Sequence, residues 1–277
     1  MVIQQGDSSF ETGCSEGGIR CSKIFKSLTF WPRPESYYHR NNWAGKLKDP
    51  DGKWVLDSPV QNATAHFLHN SLYVLGKQTE RSAVPSSIEI EAFRAYPIEN
   101  YDTAALRCVT DSGVQVLHYA SHTTKEQIGP LFEFEFENAR VTFAEGSQNL
   151  IARFNNGNTK SYGSPMDDPY EKVLQTIDAV RNDKPTLCGI EAATPLTLCV
   201  NGGQESITGI STFPSSLIKR TKKRDTLYFH VEGLGTMLKK CYTKGLLPSE
   251  HSWPYAQKAT PVSLLNYSSY PTYISST

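Results

Sequence analysis

The sequence predicts an α+β fold, in which an open, mostly antiparallel β-sheet carries helices packed on one face. Two observations lead to this class. From Ile88 to Tyr162, apolar and polar residues alternate along the chain, which is the pattern of strands with one buried face. Apolar residues recur instead with helical spacing at 58–75, 170–181 and 189–205, on both sides of the strand region.

The strands are predicted in order from this alternation. It is most regular in Ile88-Glu89-Ile90-Glu91 and in the run from Phe132 to Glu137. Asp111-Ser112-Gly113 and Asn155-Asn156-Gly157-Asn158 are turn sequences that join neighbouring strands as hairpins. Further strands are predicted at 104–108, 114–116, 139–144, 150–154, 159–162 and 227–231, and a last short helix at 235–244. A sheet built from hairpins is antiparallel, and one face of it can meet water or a partner.

The helix predicted at 58–75 has both start and stop signals. Asp57 or Ser58 can cap it, Pro59 suits its first turn, and Gly76 follows its end. It contains no charged residue, yet one of its faces is polar and consists of Asn62, His66, His69, Asn70 and Tyr73. A neutral polar stripe predicts the wall of a pocket or of an interface, because a face turned to bulk water normally carries Lys and Glu.

Composition excludes several classes of function. Of the 277 residues, 38% are hydrophobic and 20% are charged, and the formal net charge is zero. This balance argues against broad binding to nucleic acid or to an anionic membrane. The basic segment Lys219–Arg224 is expected to be a solvated loop rather than a binding patch. No apolar run approaches the about 20 residues that span a bilayer, and no signal peptide is visible.

The cysteines and the composition along the chain indicate a cytoplasmic protein with one main domain. Six cysteines lack CxxC spacing, which argues against a disulfide framework or a zinc site and favours reduced thiols. Residues 1–28 are rich in Gly and Ser and have no periodicity, so we expect a poorly specified N-terminal segment there. Residues 29–277 are predicted to form a single α+β domain, whose last 25 or so residues wrap the surface.

His66 is the leading candidate for chemistry. With Asn62 one helical turn before it, an imidazole of near-neutral pKa can exchange a proton with a substrate hydroxyl. His69 is a second, weaker candidate for contact with a substrate. For both histidines the alternative is a hydrogen bond inside a core or an interface.

The segment 30–45 is dense in residue types that bind sugars, and its candidates are Arg33, Tyr38, Arg40, Asn41 and Trp43. Aromatic rings can lie against the apolar face of a pyranose, while Arg and Asn can bond to its hydroxyls. Arginine also binds carboxylates and phosphates. The alternative is an aromatic loop packed on the sheet or an oligomer contact, where the same residue types are enriched.

Three other patterns carry no predicted site. His118 and His122 lie about 13 Å apart along a strand, too far to share a metal ion, so we expect at least one to be structural. The sequence Gly233-Leu234-Gly235 after a strand lacks the third small residue of a dinucleotide fingerprint, since Leu238 stands there. Asp183-Lys184-Pro185 is predicted to be a helix end.

The helix at 58–76 resembles the Asp-x-x-x-His helix of the glucose–fructose oxidoreductase/inositol dehydrogenase (Gfo/Idh/MocA) family. In both, a glycine follows the histidine by ten residues, here His66 and Gly76, with Tyr73-Val74-Leu75 before the glycine. Further matches run in the same order over roughly residues 20–270. They are Trp31-Pro32-Arg33, Tyr37 to Gly45, the alternating strands, Tyr170 to Pro185, Gly189 to Ser206, and Leu246 to Glu250 with Trp253.

The resemblance implies a domain of the kind that follows the family's Rossmann domain, related to the C-terminal type of dihydrodipicolinate reductase. Such a domain binds a sugar or polyol and forms homo-oligomers through its open sheet face. The family's motif histidine, an acid/base or orienting group, corresponds to His66. The motif aspartate corresponds to Asn62, so a negative charge that could support a protonated histidine is absent from that position.

The resemblance also implies NAD or NADP as the cofactor, together with a Rossmann domain that supplies a Gly-rich turn and a Glu-Lys-Pro lysine. Neither feature is found in this sequence. The chain is therefore expected to bind no cofactor or metal alone and to be inactive without a Rossmann-domain partner. The alternative is a non-catalytic module that binds carbohydrate or only associates with itself.

Overall fold

The computed structural model describes residues 22–78, 80–165, 170–186 and 188–272. The helices of these residues are α1 (Ala65–Val74), α2 (Glu171–Asn182), α3 (Ile190–Ser206) and α4 (Leu234–Lys244), and a short 3-10 helix spans Glu35–His39. The strands are β1 (Ser22–Phe30), β2 (Pro85–Arg94), β3 (Thr103–Thr110), β4 (Gln115–Ser121), β5 (Ile128–Phe136), β6 (Ala139–Phe143), β7 (Ile151–Phe154), β8 (Thr159–Ser161), β9 (Ser211–Thr212), β10 (Ile218–Lys223), β11 (Thr226–Val231) and β12 (Val262–Ser263).

One large, mostly antiparallel sheet organises the described chain. Its strand order is β12-β2-β3-β4-β1-β5-β6-β7-β8, with β9 beside β2, while β10 and β11 form a separate hairpin. Among the strands of the described residues, only the β1–β4 and β2–β9 pairs are parallel. The predicted α+β class with an open, mostly antiparallel sheet is confirmed, and so are the predicted hairpins of β3 with β4 and of β7 with β8.

Strand β1 lies in the middle of the sheet, between β4 and β5. The sequence predicted no regular structure before residue 29, and for residues 22–28 this is wrong. Phe25, Leu28 and Phe30 are completely buried, because the sheet is covered on both faces along β1. A strand buried on both sides has no alternation to detect. Residues 1–21 lie outside the described part of the chain.

The two faces of the sheet are covered unequally. On one face, Phe67 and Leu72 of α1 and Cys199 of α3 join the main core, which includes Phe132. On the other face, Leu238 of α4 belongs to a second buried cluster that includes sheet residues of β1 and β4. The sequence predicted this helix at 235–244, but it predicted helices on one face only, so the position of α4 on the other face was not expected. The opposite face of β5–β7 carries charged side chains, which are Glu133, Glu135, Arg140 and Arg153.

Helix α1 is shorter than predicted, since 58–64 form turns and the helix begins at Ala65. Asp57 does not cap it, because its carboxylate accepts hydrogen bonds from the Gly45 N–H and from Asn62. Ser58 Oγ does accept a hydrogen bond from the Gln61 N–H at 3.2 Å, but it closes a turn and not the helix.

Gly76 follows α1 as predicted, but for a different physical reason. Its φ is not positive, so the left-handed conformation does not require glycine here. A Cβ at this position would lie 2.0 Å from the backbone oxygen of Arg81. Glycine is therefore needed because the returning chain passes close to the end of α1.

The basic segment Lys219–Arg224 is mainly a strand and not a loop. Residues 218–223 form β10, which pairs with β11 around a two-residue turn. Arg224 and Asp225 have φ values of 46° and 63°, as the tight turn of a twisted hairpin requires. The lysine and arginine side chains are exposed, as predicted.

Helix α2 has the predicted apolar stripe, but that stripe faces outward. Val173, Leu174, Ile177 and Val180 are between 42% and 80% exposed. A stripe of this kind normally faces a core. The sequence pattern therefore identified the apolar residues of α2 but did not indicate which surface they face. None of the described helices combines the length and the apolar character needed to cross a membrane.

Candidate functional site at the end of β1 and β4

Two segments meet at the C-terminal ends of the parallel strands β1 and β4. The chain leaving β1 stays beside the end of β4, because the Trp31 N–H donates to the Ser121 carbonyl at 2.9 Å and the Arg33 N–H to the His122 carbonyl at 3.0 Å. Helix α1 packs over β1 and β4 on one face, so its first turn lies near this end. The Trp31–Phe67 ring contact at 5.3 Å joins the two segments.

Five side chains, which we call the aromatic–arginine cluster, come together here: Trp31, Arg33, Tyr37, Arg40 and Trp43. The Arg33 guanidinium carbon lies 5.5 Å from the Trp31 ring centroid and 5.1 Å from that of Tyr37. Arg40 lies 3.6 Å from the centroid of the same Tyr37 ring and 5.1 Å from that of Trp43. Cation–π contacts therefore organise the cluster. The structure brings together the predicted Arg33, Arg40 and Trp43.

Trp31 and Tyr37 were part of the predicted sugar-binding segment but were not singled out as candidates. What distinguishes these two rings is their position along the chain. Trp31 directly follows the buried strand β1, and Tyr37 lies in the 3-10 helix between the two arginines. Without the positions of the arginines in space, no sequence pattern favours these two rings over Tyr38.

His66 stands next to this cluster on the exposed side of α1. Its ring centroid lies 6.1 Å from that of Trp31, the ring that also contacts Arg33. Loss of water around the imidazole lowers the pKa of His66, and the charge of Lys172 on α2 lowers this pKa further. A neutral imidazole at pH 7 has one nitrogen that can accept a proton from a hydroxyl.

Asn62 is hydrogen-bonded to the carboxylate of Asp57 just before α1. Its Nδ2 donates to Asp57 Oδ1 at 2.9 Å, and Asp57 Oδ2 accepts the Gly45 N–H at 2.6 Å. Asp57 is only 3% exposed. The sequence predicted no negative charge at position 62, and the structure places the carboxylate of Asp57 in hydrogen-bond contact with Asn62.

The remaining predicted residues make internal contacts. His69 Nε2 lies 2.8 Å from the Ala192 carbonyl and so connects α1 to α3, which favours its structural alternative. The carbonyl oxygen of the Asn41 side chain accepts the backbone N–H groups of Trp43 and Ala44, at 3.1 and 2.7 Å, and so shapes the loop. The buried Tyr38 hydroxyl lies 3.0 Å from His122 Nδ1.

His118 is fully buried and connects three elements. Thr64 Oγ1 donates to the Pro59 carbonyl at 2.7 Å, so its contact with His118 Nε2 at 2.9 Å requires that nitrogen to carry the proton. Nδ1 then accepts from the Ser27 hydroxyl at 2.8 Å. Burial, and to a smaller extent His66, lowers the pKa of His118 to about 3. His118 is therefore a neutral structural residue, which confirms that at least one of the two strand histidines is structural.

The glycines before α4 do not fit a dinucleotide. Strand β11 pairs antiparallel with β10 and is not part of a β-α-β unit. A Cβ on Gly235 would lie 3.1 Å from the carboxylate oxygen of Glu126, so a pyrophosphate at this helix start would meet a negative charge.

Asp183-Lys184-Pro185 ends α2 as predicted, with the Lys184 N–H bonded to the Ala179 carbonyl. A groove of about 670 Å³ beside Tyr96 includes Arg94, Arg220 and Phe229, but none of the predicted site residues.

The fold is an α+β domain that is structurally similar to the C-terminal domains of oxidoreductases. UDP-N-acetylglucosamine 3-dehydrogenase GnnA from Acidithiobacillus ferrooxidans is similar with a TM-score of 0.51 at 12% identity, over 67% of this chain and 53% of that protein. An oxidoreductase from Agrobacterium radiobacter, solved in complex with NAD+, L-tartaric acid and magnesium, is similar with a TM-score of 0.51 at 14% identity, over 69% and 56%.

A third similar structure, an NAD-binding protein from Listeria innocua, has a TM-score of 0.50 at 11% identity over 67% of this chain and 52% of that protein. At such identities the similarity is one of fold alone. The chain spans just over half the length of these proteins. Comparison with protein families and with curated proteins finds no match.

The buried His118 predicts a pH dependence of stability. Its folded pKa of about 3 lies below its ordinary value of 6.5, so its contribution is complete above pH 6.5 and is lost as the pH falls toward 3. In His118→Gln, urea unfolding should show a slope of unfolding free energy against pH, between about pH 4 and 6, that is smaller by up to about 1.4 kcal/mol per pH unit. Ser27→Ala, which keeps the imidazole, should keep the wild-type slope. Equal slopes for wild type and His118→Gln would contradict this assignment.

Proposed function

We propose that this chain is the substrate-binding and oligomerisation domain of an NAD(P)-dependent sugar or polyol oxidoreductase of the Gfo/Idh/MocA family. The observation that carries the proposal is the position of His66 beside the aromatic–arginine cluster, at one end of the sheet. The similar structures support it, since one is a sugar-nucleotide dehydrogenase and another was solved with NAD+. We further propose that the chain lies in the cytoplasm and that residues 29–277 act as one domain.

Each residue of the site has a role in this proposal. Trp43 and Trp31 lie against the apolar face of the sugar, and Arg33 and Arg40 bond to its polar groups. His66 takes the proton from the hydroxyl that is oxidised, or returns it in the reverse direction. Tyr38, Asn41, Asn62 and His69 shape the wall of the site through their contacts with His122, the loop, Asp57 and α3.

A nucleotide-binding domain is the partner that the proposal requires, because the glycine turn before α4 does not fit NAD(P). The apolar stripe of α2 suits its docking. The charge of Lys172 on this helix contributes to the lowered pKa of His66, which supports a docking position on the side of the site. The chain also spans just over half of the length of the similar NAD-binding protein.

The alternative function, a non-catalytic carbohydrate-binding module, uses the same cluster but has no need of His66.

Tryptophan fluorescence can separate substrate binding from a purely structural site in a titration with a panel of neutral sugars and polyols. His66→Ala should weaken binding of the best ligand about fivefold, which corresponds to one neutral hydrogen bond of ~1 kcal/mol. His230→Ala, a histidine of β11 outside the site, is the matched control. Equal affinities of wild type and His66→Ala across the panel would argue against contact with the substrate.

Self-association is proposed through the open face of β5–β7, and light scattering tests it. The face carries charges of both signs, among them Glu135 and Arg140, which lie 3.5 Å apart. We expect wild type to be at least a dimer and Arg153→Glu to shift it toward the monomer, because Arg153 is exposed on this face. Ile177→Lys on α2 should leave the mass unchanged. A wild-type monomer, or dissociation by Ile177→Lys alone, would contradict this assignment of surfaces.

A further inference from the structure

Arg33 is a half-buried cation without a counter-ion. Its Nε is fully buried and has no hydrogen-bond partner, and no carboxylate among the described residues forms an ion pair with its guanidinium. The rings of Trp31 and Tyr37 contact the guanidinium instead. Charged groups removed from water are normally paired, because desolvation of an isolated charge is costly. Aromatic contacts compensate only part of this cost and leave the N–H groups of the guanidinium without partners.

Arg40 adds a second positive charge to the same ring. Its guanidinium carbon lies 3.6 Å from the Tyr37 centroid, against 5.1 Å for Arg33, so two cations share one tyrosine. The hydrogen bond that Arg40 makes is to the Tyr37 carbonyl, at 2.6 Å, and no carboxylate of the described chain pairs with it. Two like charges on one ring repel each other, and an anion bound by both would offset this repulsion.

Asp57, the carboxylate that holds this loop, forms no ion pair with Arg33 or Arg40 among the described residues. Its two oxygens accept the Asn62 amide and the Gly45 N–H, and it is buried beneath the loop. The charges of the two arginines also act on the buried imidazole of His122. Burial lowers the pKa of His122 to about 3, and the charges of Arg33 and Arg40 act in the same direction.

From this geometry we propose that the substrate is an acidic sugar or polyol, whose carboxylate or phosphate group is held by Arg33 together with Arg40. The planar guanidinium of Arg33, fixed between two rings, offers paired N–H donors that match either group. The aromatic rings beside it would hold the carbon skeleton, and His66 would face a hydroxyl on the same molecule. This inference rests on the proposed function, because it names the substrate class of that same site.

The test is a set of fluorescence titrations at low ionic strength with glucose, glucuronate and glucose 6-phosphate, and with acetate and inorganic phosphate as bare anions. We expect at least one of the two acidic sugars to bind about tenfold or more tightly than glucose. The acid that binds more tightly identifies the group as carboxylate or phosphate. Binding of acetate or phosphate as tight as that of the acidic sugar would overturn the proposal, because the site would then recognise only an anion.

Three variants assign this preference to residues. Arg33→Gln should reduce the ratio of acid affinity to glucose affinity to within about twofold, because this ratio reports the contact with the acidic group. Arg40→Gln, at an exposed position, should reduce the preference in part, and it serves as the test if Arg33→Gln fails to fold. Arg220→Gln removes an arginine that lies 4.9 Å from the Phe229 ring, outside the site, and should keep the full preference.

Failure of this inference and failure of the proposed function would give different results in these titrations. Binding of glucose without preference for either acid would overturn this inference and leave the proposed function standing. An acid preference that survives both Arg33→Gln and Arg40→Gln would overturn the assignment to these residues. No binding of any sugar would argue against the proposed function itself.

Discussion

The imidazole of His118 holds together the three elements on which the site depends. His118 belongs to β4, its Nδ1 accepts from Ser27 on β1, and its Nε2 donates to Thr64, the residue before α1. A neutral imidazole with a fixed tautomer can satisfy both bonds at once, whereas a protonated one cannot accept from Ser27. The start of α1, which precedes His66, is therefore tied to β1 and β4 through one buried side chain and its protonation state.

The parallel pairing of β1 with β4 is the second constraint. Because both strands end at the same edge, the loop that leaves β1 runs beside His122 and carries Trp31 and Arg33 toward the start of α1. Asp57 then holds the loop to the turn before α1 through Gly45 and Asn62. Residues that are far apart in sequence thus form a contiguous surface of aromatic rings, two arginines and one histidine. A surface of this composition suits a polar ligand that has an apolar face and an acidic group.

Sequence patterns predicted the hairpins well, because strands such as β5 have one buried face and alternate strictly. They failed for β1, which is buried on both faces, and for β10, whose lysines and arginines resemble a loop. The start of α1 was misplaced because Pro59 and Ser58 fit a helix start as well as a turn. Gly76 was located correctly, but its cause, the Arg81 carbonyl, is a tertiary contact that no local pattern contains.

For the candidate site, the sequence was sufficient to predict the residue types but not the contacts between their side chains. Arg33, Arg40, Trp43 and His66 follow from chemistry and spacing, but the meeting point of the two arginines on Tyr37 depends on how the 3-10 helix folds. Likewise the carboxylate of Asp57 beside Asn62 arises from an irregular turn, which helical periodicity cannot describe. The unpaired charge of Arg33 becomes visible only when all neighbouring groups are placed in space.

The most direct test of a substrate site at this edge uses the four tryptophans of the chain as reporters. Trp31 and Trp43 belong to the aromatic–arginine cluster, whereas Trp54 contacts Tyr270 and Trp253 contacts Phe93. In a proton–nitrogen NMR titration with the best-binding sugar, the indole signals of Trp31 and Trp43 should shift, and those of Trp54 and Trp253 should stay in place. Shifts confined to Trp54 or Trp253 at saturation would contradict the account.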